Sequence, residues 1–534
     1  MRIKYCFLTA LIIFALAFAV TVTAEEPTEA EQLPLSLSGA SSLYKLTDGD
    51  EASYRKLSAG TTLTVTAEQG ISSLYVVFDR IPGEWTISDG ETSEICGKND
   101  FLHEYVDVKE IFGYEPTTVY LTFSESDVTV SEVSAFENGE LPSWVQVWEP
   151  PCDGEADLML CSTHSDDEQL FFAGVLPYFA GELGLNVQVV YFTSPFSYHD
   201  RPHEQLNGLW EVGVRHYPIY GEMRDKYSET KEDAYAHQAS YGITRDEIVE
   251  FQVEMLRRFR PLVVIGHDFA GEYSHGQHII NTDTLVEALE LATDETKYPD
   301  SAAKYGIWDT PKTYIHLYKE NPIVMDWDQP LEAFGGKTAF QVTQDGFAHH
   351  KSQHWTWFYG WIYGKNGNTI TKATEIRTYS PCKYGLYRTT VGLDSGIGDM
   401  FENVMTYAEQ EEERLRLEEE SRRAESESIS REEESSRLES IAESESLRLE
   451  EESRYAESES LRLEEESKIQ ESIDESIAES EEERLEKEQR EDKKRTGLMT
   501  VAVVSAVAVA IVVAAVSVNM NSRKKKKLKR RKKL

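Results

Sequence analysis

Short segments in which apolar and polar residues alternate fill the first third of the chain. Residues 61–66, 72–78, 117–123 and 128–136 carry this pattern, with Gly, Asp and Pro clusters between them. Such spacing predicts a small all-β sandwich over residues 34–145. From 151 to 400 the texture changes. Residues 157–161, 187–192 and 262–266 are nearly continuous apolar runs, the mark of parallel strands covered on both faces, and amphipathic stretches such as 246–259 lie between them. Strands alternating with helices predict an α/β fold with a doubly wound sheet, whose ligands bind beyond the carboxyl ends of the strands.

Periodicity then fades. Residues 406–495 are dominated by Glu, Ser and Arg, and the segment from Ala442 to Ser453 recurs unchanged from Ala456 to Ser467, a period of fourteen residues. Leu447 and Leu461 occupy one heptad position, but Glu and Ser fill many of the others, so a strong coiled coil is not indicated. The expectation is a solvated single helix or a partly disordered stalk. Fully helical, it would extend on the order of 135 Å.

The two ends carry the strongest apolar runs. Residues 1–24 pass from Arg2 and Lys4 through an apolar stretch to Val22-Thr23-Ala24, the layout of a secretory signal peptide. Residues 498–518 are apolar enough to predict one transmembrane helix, and the tail 521–534 is rich in Lys and Arg. A basic flank stays cytoplasmic and touches anionic lipid. The expected topology is therefore single-pass type I, with residues 25–495 outside the cell membrane.

Charge adds little to this picture. The net charge of −41 comes mainly from the Glu-rich stretch, and a polyanion would be repelled by it, so nucleic acid is not an expected partner. Of five cysteines, Cys6 leaves with the signal peptide; Cys96, Cys152, Cys161 and Cys382 form no C-x-x-C pair, which disfavours a thiolate metal site. An exported compartment permits a disulfide, with Cys152 to Cys382 one conceivable pairing.

Chemistry concentrates at two predicted strand ends. Thr163-His164-Ser165-Asp166-Asp167-Glu168 follows the first buried strand, and His267-Asp268-Phe269-Ala270-Gly271-Glu272-Tyr273-Ser274-His275-Gly276-Gln277-His278 follows the third. Imidazole and carboxylate donors suit zinc, and a spare carboxylate beside a ligand can take a proton from water. Taken alone, an acidic loop at a helix start is also an ordinary helix cap. Two such loops at one sheet edge point to a three-ligand site with an open position.

These two segments, in this order and about a hundred residues apart, resemble the PIG-L/LmbE family of zinc-dependent N-acetylglucosaminyl deacetylases, with its Rossmann-like fold. The resemblance implies His164, Asp167 and His278 as Zn2+ ligands, Asp166 as general base, and His275 as the charged partner of the developing oxyanion. Two positions depart from the family pattern: Ser165 replaces a common Pro, and Gln277 replaces an Asp that would help keep the neighbouring histidine charged. Arg201-Pro202-His203-Glu204 resembles the family's R-x-x-E segment and leaves Arg201 either gripping a substrate hydroxyl or phosphate, or paired with Glu204. His350-Lys351-Ser352-Gln353 matches an H-x-S-Q sequence of secreted members. The cluster of Trp355, Trp357, Phe358, Tyr359 and Trp361 behind it serves as core or as a sugar-stacking wall. His199, His203, His216 and His316 carry no pattern and are expected to be structural or surface residues. Upstream, Leu46-Thr47-Asp48-Gly49-Asp50, the run 71–78 and Val130-Ser131-Glu132-Val133 resemble the discoidin, or galactose-binding, jelly-roll family.

The expected function is zinc-dependent removal of the N-acetyl group from N-acetylglucosamine-type sugars of a cell-surface or extracellular glycan. Two alternatives stay open: an anchored glycan-binding adhesin with an inactive deacetylase-like domain, and a zinc amidase for another amide. The oligomeric state stays open as well.

Overall fold

The computed structural model describes residues 28–123, 127–396 and 398–491. The expected signal peptide (1–24), transmembrane helix (498–518) and basic tail (521–534) lie outside them. Among the described residues no helix is long and apolar enough to cross a membrane.

The chain divides into two compact units, Met1–Leu417 and Glu418–Leu534. The first opens with two antiparallel sheets. One has five strands in the order Ser36–Ser38, Thr61–Thr66, Thr118–Phe123, Trp85–Ser88 and Ser93–Cys96; the other has four, Arg55–Leu57, Val128–Phe136, Ser73–Phe78 and His103–Asp107. Alternation sends Leu63, Val65, Val119 and Leu121 of the first sheet, and Leu74, Val76, Val128 and Val130 of the second, into one buried apolar cluster. Phe78 meets Phe123 edge to face there, at a centroid distance of 6.3 Å.

The α/β part follows. Its sheet contains β1 (Leu158–Ser162), β2 (Val187–Thr193), β3 (Ile219–Met223), β4 (Val263–Gly266), β5 (Lys312–His316), β6 (Pro322–Val324) and β7 (Lys383–Thr389), in the order β3-β2-β1-β4-β5-β7-β6. The first five pair in parallel, and β7 runs antiparallel to both β5 and β6. Strand residues alternate between two cores. Met159, Cys161 and Val264 face helices α3 (Arg245–Phe259) and α4 (Gly276–Leu291), whose Val253, Leu256, Leu285 and Ala288 cover them. Leu158, Leu160, Val263 and Ile265 face the opposite way, into a core with Phe172, Leu176, Leu206 of α1 (Arg201–Glu211) and Phe347 of α5 (Ala339–Ala348). Coverage on both faces makes the sheet doubly wound, and the chain order reverses between β1 and β4, the point at which such sheets bind ligands.

Local chemistry sets the helix ends. A reciprocal Thr244–Glu247 capping box opens α3, which closes at Arg260 in the left-handed region (φ 51°). Buried Arg257 donates to the carbonyl oxygens of Leu291, Ala292 and Asp294 and so caps the far end of α4. The four cysteines are free and buried, so the conceivable Cys152–Cys382 disulfide is not formed; the two side chains belong to separate apolar clusters.

The last described element is α6, Tyr407–Glu491, a single helix of 85 residues. In its first turn Tyr407 donates its N–H to Asp157 Oδ1 and its hydroxyl to the Arg260 carbonyl. Further along, Leu447 and Leu461 are exposed by 61% and 62%.

Candidate active site

Strand order delivers the two chemical loops to one place. β1 ends at Ser162, β4 at Gly266, and the residues that follow face one another across the reversal point. His164 Nδ1 lies 3.1 Å from Asp167 Oδ2, His278 Nε2 lies 3.2 Å from the same oxygen, and the two nitrogens are 3.2 Å apart. A tetrahedral zinc ion with bonds of about 2.0–2.1 Å spaces its ligand atoms by roughly 3.3 Å. The triangle therefore fits such an ion. His275, placed with His164 and His278 in a second set of donors within 4.8 Å, stands at its edge.

The far nitrogen of each histidine faces a carboxylate, in ion-pair range of His164 and hydrogen-bonded to His278. His164 Nε2 is 3.2 Å from Asp225 Oδ1, and His278 Nδ1 donates to Glu272 Oε2 at 2.6 Å. Metal-binding imidazoles need this outer support, which fixes tautomer and ring plane. The electrostatics agree. Burial would lower the His164 pKa, yet Asp225 and Asp167 hold it well above the usual value; His278 is raised to about 8 against its burial, chiefly by Asp167. Asp167 is held well below the carboxylate range despite burial, by His278 and His164. The centre of this cluster favours positive charge.

Glu272 is the hub beneath it. Its two oxygens accept from Nδ1 of His267 (2.8 Å), His278 (2.6 Å) and His316 (2.6 Å), and from the Asp268 N–H (3.2 Å). His267 in turn accepts from the Thr163 N–H at 3.0 Å, which ties the end of β1 to the end of β4. Neither Glu272 nor His316 stands out in the sequence as a site residue. The Gly271-Glu272-Tyr273 spacing just upstream of His275 was the available signal for the first; His316 lies on a separate strand, β5, and only the sheet order brings it in.

Asp166 borders the triangle. Burial raises its pKa; Arg201 opposes this and Asp167 reinforces it. Arg201 donates to the Ser165 carbonyl and lies 3.8 Å from Asp166 Oδ1. It does not pair with Glu204, which instead accepts from the N–H and hydroxyl of Ser352. That bond seats the H-x-S-Q segment, and His350 lies buried 3.4 Å from Glu168, whose pKa burial pushes up to about 8.

His275 caps α4. Its Nδ1 accepts from the Gln277 N–H at 3.1 Å, and burial together with His164 and His278 pushes its pKa down to about 2. Because Nδ1 accepts, the proton of a neutral ring sits on Nε2. Gln277 points away, donating to the Lys226 carbonyl and accepting from Gln238. The aromatic cluster divides. Phe358 and Ile362 are buried, whereas Trp355, Trp357 and Tyr359 are exposed by 85%, 41% and 43%. Trp357 meets Tyr273 edge-on at 5.8 Å, which brings an open indole face to the rim of the site.

A doubly wound sheet with a histidine and carboxylate cluster at its reversal point is the architecture these residues define. No family model matches the chain. It is 29% identical over 178 residues to 1D-myo-inositol 2-acetamido-2-deoxy-alpha-D-glucopyranoside deacetylase 2 of Saccharopolyspora erythraea, covering 29% of this chain and 63% of that protein. It is 25% identical over 205 residues to deacetylase 1 of the same name from Catenulispora acidiphila, covering 34% and 62%. The chain thus spans less than two thirds of the length of these curated relatives. Among solved structures, the N,N'-diacetylchitobiose deacetylase from Pyrococcus horikoshii matches with a TM-score of 0.30 and 14% identity, over 43% of this chain and 84% of that one.

Proposed function

We propose that this chain is a zinc-dependent deacetylase of N-acetylglucosamine-type sugars, of the PIG-L/LmbE kind. The observation that carries the reading is the triangle of His164, Asp167 and His278 donor atoms, 3.1 to 3.2 Å on a side, with Asp166 beside it. The activity for which the curated relatives are named, removal of an acetyl group from an acetamido sugar, supports the same chemistry. A zinc ion in this triangle would polarise the acetamide carbonyl and acidify a water molecule.

The protein's own groups do the rest. Asp166 takes the proton of the attacking water and passes it to the leaving amine. Its raised pKa suits both halves of that task. Arg201 holds the Asp166 loop through the Ser165 carbonyl and presents its guanidinium to a sugar hydroxyl. His275 contributes as a neutral donor: Nε2–H points its hydrogen bond at the carbonyl oxygen as negative charge builds there. A donor so placed typically contributes about 3 kcal/mol. Trp357 offers an apolar face to the sugar ring.

In this reading the two antiparallel sheets are a discoidin-like module, and the apolar run 498–518 with its basic flank anchors the enzyme outside a cell membrane. Wall or extracellular glycan is then the substrate within reach. The test is acetate release from N-acetylglucosamine oligosaccharides, with bound zinc quantified and Asp166→Asn as control. Zinc-dependent release that the variant abolishes is expected. Zinc without release would move the assignment to another amide, and no zinc would leave an inactive glycan-binding protein.

A further inference from the structure

The junction between the two-sheet part and the α/β part holds a second cluster of metal donors. His103, at the start of the strand His103–Asp107, and His203, on α1, meet at 2.8 Å between Nε2 and Nδ1. One donor atom each of Glu51, His103 and His203 lies within 4.8 Å of the others. Both imidazoles are buried, and burial pushes both pKa values down to about 3, so each ring keeps a lone pair free of a proton.

Outer support is in place on two of the three. The Tyr75 hydroxyl lies 2.7 Å from His103 Nδ1, and Asn207 Nδ2 donates to Glu51 Oε2 at 2.7 Å. His203 has a nitrogen to spare: its Nε2 is buried without a hydrogen-bond partner. That atom stays unpaired whichever way the proton lies between the two rings. Buried polar atoms in native proteins are seldom left so.

There is also an entry path. A cavity of about 410 Å3 opens beside the cluster, lined by His203 and by the carboxylates of Asp50, Glu51, Glu132, Asp200 and Glu204. Carboxylates gathered in a cleft concentrate cations.

We propose that Glu51, His103 and His203 form a second metal site, for a divalent transition ion, that ties the two-sheet part to the α/β part. Two imidazoles and one carboxylate select a zinc-like ion over calcium or magnesium, which take all-oxygen shells. The site stands apart from the His164 cluster and does not rest on the catalytic reading.

Its test is the zinc stoichiometry of the full chain after loading with Zn2+ and dialysis. Glu51→Gln is the first variant, because Glu51 is only partly buried and the amide oxygen can still accept from Asn207. His203→Gln is the second. The expected result is one equivalent fewer zinc in each variant than in the unaltered chain, and zinc-induced thermal stabilisation reduced by the same changes. The comparison is a difference, so it holds whether or not the His164 site fills. Acetate release by Glu51→Gln, measured alongside, reports separately on that other site. Equal stoichiometry in the unaltered chain and a folded Glu51→Gln variant would overturn the proposal.

Discussion

Replacing Glu272 by Gln keeps the shape of the hub and removes half of its accepting capacity. Four donors converge on the two carboxylate oxygens: Nδ1–H of His267 and His278 on one, Nδ1–H of His316 and the Asp268 N–H on the other. An amide has one accepting oxygen, and its NH2 group would face two donors in either orientation. Two bonds to a buried charge are therefore lost whichever way the side chain turns. At about 1.5–3 kcal/mol each, the cost is roughly 3–6 kcal/mol, a large part of an ordinary domain's stability of about 5–15 kcal/mol. If the lost pair includes His278, its proton moves toward Nε2, the atom that faces Asp167 and His164. Outer-shell changes of this kind weaken metal binding by about 10–100-fold. The assay pairs urea denaturation with zinc retention against a graded chelator. A Glu272→Gln protein that unfolds within about 0.5 kcal/mol of the parent and keeps its zinc would refute the hub argument outright.

Three further expectations follow from other parts of the molecule. Glu132 is pushed up to about 7 by burial and by Asp48, so the folded chain binds a proton there that the unfolded chain, near 4.5, releases. Stability from this group is present below about pH 4.5 and lost as pH rises through 7; Glu132→Gln should raise the melting temperature at pH 8 and leave it unchanged at pH 4.5, by about 1 kcal/mol or less after solvent screening. Gly271 has φ 65°, and a Cβ there would lie 2.6 Å from the His275 carbonyl oxygen, so Gly271→Ala should displace His275 and cut kcat at least tenfold with the protein still folded by circular dichroism. Trp357→Ala should raise KM for oligosaccharides about 2–10-fold at nearly constant kcat, since stacking contributes about 0.5–1.5 kcal/mol; a fall in kcat alone would assign the indole a different role.

The parts legible from sequence are those whose signal is local. β1, β2 and β4 are unbroken apolar runs, and the two chemical loops follow β1 and β4 directly, so pattern and motif agreed on them. β5 is not legible in the pattern because Lys312 and His316 make its ends read as polar; in the fold Lys312 is buried against Asp394 and His316 against Glu272. β6 has three residues and begins with a proline. Asp225 and Tyr273 join the site through loops that carry no period. The charge on His275 that the resemblance implies is opposed by burial and by the neighbouring His164 and His278, surroundings that only the fold assembles. His203, without pattern in the sequence, is buried at a junction between two parts that lie a hundred residues apart.

The long helix α6 divides the optical behaviour of the chain. All nine tryptophans precede residue 400, while α6 holds 85 residues of helix supported by Glu–Arg and Glu–Lys pairs three or four apart, such as Arg454 with Glu450 and Lys468 with Glu464. Pairs of this kind contribute about 0.2–0.5 kcal/mol each and are screened by salt, and a helix without a packed face frays from its ends as it warms. Far-ultraviolet ellipticity will therefore fall as a gentle slope that added salt steepens. Tryptophan emission will report a single sharp transition elsewhere, and a melting temperature read from the first signal will not be that of the part that carries the tryptophans.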